Sequence, residues 1–209
     1  MLRGCGTRSA IAFVLARSCT RGSRLRLHDV AATEQPTPQQ LARREAALAR
    51  VRKYGDPVLR ERARPVGAVD DVVRDQIREM RRLLEDAMEA GLAATQIGVL
   101  NRVFVYRADP DAPVRALVDP EIEWASQETE VAEEGCLSIP GVWIDVERPA
   151  RVRVRALDED GEPVVIEAEM PEARVLQHEL DHLDGVLTLD RTTKDQRRAA
   201  LRELRNRRA

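Results

Sequence analysis

Pro171-Glu172-Ala173-Arg174-Val175-Leu176-Gln177-His178-Glu179-Leu180-Asp181-His182 is the stretch on which the reading of this chain turns. Pro171 can open a helix, because its fixed φ suits the first turn and its missing N–H is not needed there. Gly185 marks the far end. Residues four apart share a helix face, so His178 and His182 aim two imidazoles at one point, with Glu179 beside them. This pattern suits a divalent metal, with the glutamate as general base for a water that the metal activates. Two of the chain's three histidines stand here, and the third, His28, lies in an N-terminal stretch of different composition. By chance, a His-Glu-x-x-His would arise in such a chain with odds of roughly one in a few hundred. The ordinary alternative is a pair of solvated helix histidines.

The segments upstream set the architecture. Strand-like runs occur at Val103–Arg107, Ala116–Val118, Val142–Val146, Val152–Ala156 and Val164–Ala168, and Asp160-Gly161 predicts a hairpin turn between the last two. Nearer the N-terminus, Thr37-Pro38-Gln39-Gln40 combines an N-cap, a proline at the first helical position and a capping-box glutamine. It predicts a helix to about Lys53. Val73, Ile77, Met80, Leu84 and Ala87 alternate spacings of four and three, which predicts a helix over Asp71–Ala90 ended by Gly91. Two helices, then strands, then a helix predict an α+β fold: a mainly antiparallel sheet with a central metal-binding helix packed against it.

A catalytic site of this type needs a third protein ligand and one open position. Continuing the helix pattern through Gly and a further His fails, because Thr188 stands where that His would be. Downstream carboxylates are few: Asp190, Asp195 and Glu203. Cysteine is the better source. Of three cysteines, Cys5 and Cys19 fall in the N-terminal stretch, and Cys136 lies in Glu133-Glu134-Gly135-Cys136-Leu137-Ser138-Ile139-Pro140, a turn-like segment between strand-like runs. A lone cysteine is most often a small core hydrophobe. Beside a two-histidine helix that lacks a third ligand, a Cys136/His178/His182 set is chemically sound for Fe(II) or Zn(II). Gly91-Leu92-Ala93-Ala94-Thr95-Gln96-Ile97-Gly98 adds small residues that let backbone approach a ligand. Gln96 offers an amide donor to a developing oxyanion, although a glycine after a helix is by itself only a C-cap signal.

Together these three segments resemble the peptide deformylase family. Its signature is Gly-x-Gly-hydrophobic-Ala-Ala-x-Gln, Glu-Gly-Cys-hydrophobic-Ser and Gln-His-Glu-x-Asp-His, in that order. The resemblance runs from about Tyr54 to Arg191 and includes Gly55-Asp56-Pro57-Val58-Leu59-Arg60, which is similar to the family's N-terminal segment. It implies a metal-dependent hydrolase that removes the formyl group from the N-terminal formyl-methionine of newly made polypeptides. By that resemblance Cys136, His178 and His182 hold the metal, with Fe(II) first and Zn(II) or another divalent ion as substitute. Glu179 takes a proton from water and passes it to the leaving amine. The Gln96 amide and the Leu137 backbone N–H stabilise the oxyanion, and Gly91 and Gly135 lie along the docking path of the N-formyl-methionyl peptide.

Two positions depart from the pattern. Glu89 stands where the first motif begins with glycine, which would reshape the rim of the cleft. Trp143 stands where many bacterial members carry an arginine near the substrate. Neither is a ligand or the base, so activity is expected. The rival readings are a His-Glu-x-x-His metallopeptidase, which lacks its third-ligand pattern here, and a catalytically altered deformylase-like protein, in the extreme a non-catalytic metal-containing ribosome-binding protein, for which pure binding would need neither Glu179 nor Gln96.

At 209 residues the chain suits one catalytic domain, expected over 37–190. Charged residues make up 33% and the mean hydropathy is −0.41, with no apolar run near membrane-spanning length, so no membrane partner is expected. A net charge of −2 implies no global attraction to DNA. Cys136, alone in the body, suits a reducing compartment. Residues 1–36 carry Arg3, Arg8, Arg17, Arg21, Arg24 and Arg26 and no acid before Asp29. They read as a transit peptide, as a secretory signal over the short apolar run Ala10–Ala16, or as an upstream start with a disordered tail. The expected location is the cytoplasm, or an organelle in the transit case. Residues 191–209 are expected as a basic helix or tail, either solvated or a phosphate-binding arm that docks on ribosomal RNA.

Overall fold

The computed structural model describes residues 36–208, so the expectations for the N-terminal extension fall, up to residue 35, outside the described residues. Helix α1 (Pro38–Arg50) opens with the expected capping box: Gln40 N donates to Thr37 Oγ1 at 3.2 Å, and Thr37 N donates to Gln40 Oε1 at 2.7 Å. It stops short of Lys53, because Val51 turns extended. Helix α2 (Asp71–Ala87) is capped by Asp70, which accepts from Val73 N at 2.9 Å. The expected stop at Gly91 is corrected. Met88 enters the left-handed region at φ 58°, and its N–H bonds back to the carbonyls of Leu84 and Glu85. A single residue in that conformation closes a helix, and here no glycine marks it. Glu89 and Ala90 are thereby released into a connecting loop.

Seven strands follow: β1 (Gly91–Ala93), β2 (Val103–Tyr106), β3 (Arg115–Ala125), β4 (Thr129–Cys136), β5 (Ile139–Pro149), β6 (Arg151–Leu157) and β7 (Pro163–Glu169). Five of them form a wholly antiparallel sheet in the order β1-β2-β3-β6-β7, while β4 and β5 pair as a separate hairpin. The predicted turn at Asp160-Gly161 is present between β6 and β7, closed by Asp158 N donating to Glu162 O at 2.9 Å. Helix α3 (Glu172–Leu183) lies on one face of the sheet, and the basic C-terminal stretch forms helix α4 (Lys194–Arg208). The architecture is the expected α+β fold.

Side-chain alternation explains the layering. Along β2, Phe104 and Tyr106 point into one core and Val103 and Val105 into the other, so this strand is buried on both faces. The first core packs Ala173, Leu176, Leu180 and Leu183 of α3 against Val152, Val154, Ile166 and Ala168. The second packs Val73, Ile77, Met80 and Leu84 of α2 against Leu92, Val105 and Val118. A third, smaller core joins Ile139, Val142 and Ile144 of β5 to Leu187, Leu189 and the α4 residues Ala200 and Leu204.

The segment 133–140, read as turn-like, is corrected: β4 runs to Cys136 and β5 begins at Ile139, leaving only Leu137-Ser138 as the turn. No apolar alternation marks β4, because its more buried positions are Glu130, Ala132 and Glu134. Glu134 is 1% exposed and lies among two arginines. Arg148 of β5 donates to it through Nε at 2.6 Å and Nη2 at 2.9 Å, and Arg174 of α3 through Nη1 at 2.8 Å. Arg148 also donates to Asp181 of α3 at 2.9 Å. This buried ion cluster ties the hairpin to α3.

Two stability outcomes are expected. Met80→Ala empties part of the α2 core and should cost about 2–5 kcal/mol, read as a lower denaturant midpoint at unchanged slope. Glu134→Gln leaves buried guanidinium groups short of their counter-charge. It should cost about 3–5 kcal/mol, and a change within error of zero in urea unfolding would refute the structural role given to the cluster.

Candidate metal centre

Helix α3 is anchored to the sheet by its apolar stripe, and that fixes where its polar residues point. His178 and His182 lie one turn apart with ring centroids 5.0 Å from each other. The β4–β5 hairpin brings Cys136 to them from another part of the chain. Cys136 Sγ lies 3.2 Å from His182 Nε2, and one ligand atom from each of the three residues falls within 4.8 Å of the others. His178 Nδ1 meets Glu134 Oε2 at 2.9 Å, which leaves Nε2 as its available donor. A carboxylate behind a ligand imidazole fixes its tautomer and orientation.

The electrostatics suit a cation. Burial pushes the Cys136 thiol up, but His182 and His178 beside it outweigh that and hold it well below an ordinary thiol. The thiolate is the metal-ligating form. Burial would lower His178, and Cys136 and Glu134 raise it well above a free histidine. Burial also raises the Glu134 carboxyl, yet hydrogen bonds from Arg148 and His178 leave it well below the usual carboxylate range. Two imidazoles and a thiolate fit Fe(II) or Zn(II) and leave a coordination position open. Glu179 adds a second sign of fit: its Oε2 is buried with no hydrogen-bond partner. Burial pushes its carboxyl up to about 7 against the pull of His178 and His182, close to the value a general base needs at neutral pH.

Every residue singled out from the sequence is brought to this place. Gly91, Gln96, Gly135, Cys136, Leu137, His178 and Glu179 line one small cleft, and His182 joins them through Cys136. A Cβ on Gly91 would overlap the Glu179 carboxylate, so the glycine is required by the position of that side chain. Gln96, 2% exposed, accepts from Ala93 N at 2.8 Å through Oε1. Its Nε2 is thereby turned toward Cys136 Sγ at 3.9 Å and Ser138 Oγ at 3.4 Å. Thr95 Oγ1 ties this segment to α3 by donating to His182 O at 3.1 Å. The turn at Leu137 is held by Lys53 Nζ, which donates to its carbonyl at 3.1 Å, and by Tyr54 N, which donates to Ser138 O at 2.8 Å.

Sequence reasoning did not single out Glu134, Arg148, Arg174 or Lys53. The available signal was Glu134 directly before Gly135-Cys136: a carboxylate two residues from a cysteine ligand is a candidate for orienting a histidine. The two departures from the family pattern lie at the rim, as expected. Glu89 lines the cleft and pairs with Arg44 of α1 at 3.3 Å, with burial raising its carboxyl to about 7 despite that pairing. Trp143 lies over Gly135, where a Cβ would stand 2.9 Å from Cη2 of its indole.

Comparison with known proteins agrees with this geometry. The sequence profile of the polypeptide deformylase family matches residues 48–198. The peptide deformylase of Acidothermus cellulolyticus is 45% identical over 159 residues, covering 76% of this chain and 87% of that protein. That of Thermotoga neapolitana is 47% identical over 154 residues, covering 74% and 92%. Among solved structures, a peptide deformylase from Legionella pneumophila superposes with a TM-score of 0.72 at 37% identity, over 76% of this chain and 94% of that one. One from Synechococcus elongatus, in complex with actinonin, gives 0.70 at 41% identity over 73% and 85%. With its profile matched over most of the body and its three motifs converging on one cleft, the chain belongs to the peptide deformylase family, the metal-dependent hydrolases that remove N-formyl groups from nascent peptides.

Proposed function

We propose that this chain deformylates N-formyl-methionyl peptides with Cys136, His178 and His182 as metal ligands, Glu179 as the acid–base group, and the Gln96 amide with the Leu137 N–H as oxyanion donors. One observation carries this reading: thiol and imidazole donors converge within 4.8 Å beside a buried, unpartnered carboxylate oxygen. A divalent ion on these donors would supply Lewis acidity that brings a water's pKa to about 7. Fe(II) is the ion we assign first, since a thiolate with two imidazoles suits it, with Zn(II) or another divalent ion as substitute.

The protein's own groups account for the remaining chemistry. Glu179 takes a proton as the water oxygen bonds to the formyl carbon. The carbonyl oxygen gathers negative charge, and Gln96 Nε2, aimed by the Ala93 N–H held on its Oε1, can donate to it. When the C–N bond breaks, Glu179 gives its proton to the amine, so formate and a free N-terminus leave. Gly91 and Gly135, one on β1 and one on β4, keep the approach narrow and free of side chains, as an extended peptide requires.

Location and partners follow from weaker observations. No described helix is long and apolar enough to cross a membrane. A thiolate ligand favours a reducing cytoplasm, or an organelle if residues 1–36 act as a transit peptide. We take 37–190 as the catalytic unit and 191–209 as an appended basic segment. On α4, Arg198, Arg202 and Arg205 are exposed while Ala200 and Leu204 pack inward, a disposition that suits phosphate contacts on the ribosome.

Protein purified without oxygen should release formate from formyl-Met-Ala-Ser. Glu179→Ala should lower kcat at least about 100-fold, and Cys136→Ser should lose bound metal together with activity. Chelation should abolish turnover, and Fe(II) should restore more of it than Zn(II). Turnover unchanged by both substitutions would sink the mechanism. Ribosome co-sedimentation should weaken with salt and with Arg198→Glu/Arg202→Glu/Arg205→Glu; insensitivity to both would remove the ribosomal contact.

A further inference from the structure

The two oxyanion donors assigned above come from separate parts of the chain. Gln96 follows β1, and Leu137 stands in the turn between β4 and β5. To serve one oxygen atom they must be held at a fixed spacing, since preorganised donors act only when already aimed at the developing charge. One short segment touches the backbone of both. Arg52-Lys53-Tyr54 leaves α1 after Val51 has turned extended. Arg52 N donates to Gln96 O at 2.7 Å, Lys53 Nζ to Leu137 O at 3.1 Å, and Tyr54 N to Ser138 O at 2.8 Å. These consecutive residues bridge the Gln96 segment and the β4–β5 turn.

Burial anchors the bridge at both ends. Val51 packs into the α2 core with Leu92 and Ala94, and Tyr54 packs against the smaller core that holds Ile139 and Val142. The direct contact between the two sides, Gln96 Nε2 to Ser138 Oγ, is long at 3.4 Å, so the shorter bonds of the bridge set the spacing. Two of those bonds come from backbone N–H groups, which any residue but proline supplies. The third comes from a side chain. Lys53 is half-buried, and its ammonium spends one of three donors on the Leu137 carbonyl. The carbonyl and the N–H belong to the same residue, so pinning one restricts the direction of the other.

We propose that Lys53 is a positioning residue for the hydrolysis: by holding the Leu137 carbonyl, it keeps the Leu137 N–H at the spacing from the Gln96 amide that one developing oxyanion requires. The proposal rests on the deformylase reading above. Its test separates the two.

Turnover of formyl-Met-Ala-Ser is compared in the unsubstituted, Lys53→Met and Lys53→Arg proteins, with bound metal measured in each. Lys53→Met keeps an unbranched stem and removes the donor. Its kcat should fall about tenfold, a part of the roughly 100- to 1,000-fold that losing an oxyanion donor outright costs, with KM within about twofold and metal content unchanged. That split marks an interaction made only in the transition state. Lys53→Arg keeps a donor on a flexible stem and should hold kcat within about threefold of the unsubstituted protein. A second readout needs no turnover: deuterium uptake over residues 137–139 should rise in Lys53→Met and return toward the original in Lys53→Arg. An unchanged kcat in Lys53→Met, a rise in KM alone, or equal losses in both variants would overturn the proposal. Metal lost in step with kcat would overturn it too, since the effect would then run through Cys136. An unsubstituted protein that releases no formate would overturn the deformylase reading instead, and deuterium uptake would still decide whether Lys53 holds the turn.

Discussion

The carboxylate of Glu134 is buried where a bare charge would cost several kcal/mol, and it is stable there because two guanidiniums and an imidazole surround it. Arg148 approaches from the partner strand and Arg174 and His178 from the metal helix, so one charge ties three elements together. The site depends on this tie. Cys136 is two residues along the same strand, and His178, one of the two histidines beside it, has its Nδ1 on the carboxylate. Moving Glu134 would shift both sides of the donor set at once. Arg148 extends the cluster to Asp181, which directly precedes His182 on α3. The Asp of the Gln-His-Glu-x-Asp-His motif therefore acts as an anchor, through the same arginine that holds Glu134.

The parts of this fold that were legible in the sequence are those where burial is apolar and periodic. The stripe Val73, Ile77, Met80, Leu84 marked α2, and the valine-rich runs marked β2, β6 and β7, because in these elements the inward face is hydrocarbon. Strand β4 was invisible for the converse reason: its one fully buried side chain is the carboxylate of Glu134, and the arginines that neutralise it come from distant positions. The end of α2 was misplaced because Met88 takes a conformation usually left to glycine. At the site the residues that converge, Cys136, His178, His182 and Glu179, could be singled out from residue type and spacing. The groups that orient them were not, since an arginine pairing across 14 or 40 positions leaves no periodic trace.

Gly91 and Gly135 show how the chain shapes the cleft by what it leaves out. Each lacks a side chain because a neighbour occupies that space: the Glu179 carboxylate at one, the Trp143 indole at the other. For Gly91 the neighbour is the proposed catalytic group itself. Packing a carboxylate against bare backbone removes its water, and this desolvation is the largest influence on Glu179, raising its carboxyl to about 7. With a larger residue at 91 the carboxylate would have to turn away and gain solvent, and its affinity for a proton would fall. The glycine thus influences both the position and the basicity of the Glu179 carboxylate. The imidazoles of His178 and His182 pull the other way, favouring the charged carboxylate. The working value arises from the balance of a bare backbone on one side and two imidazoles on the other.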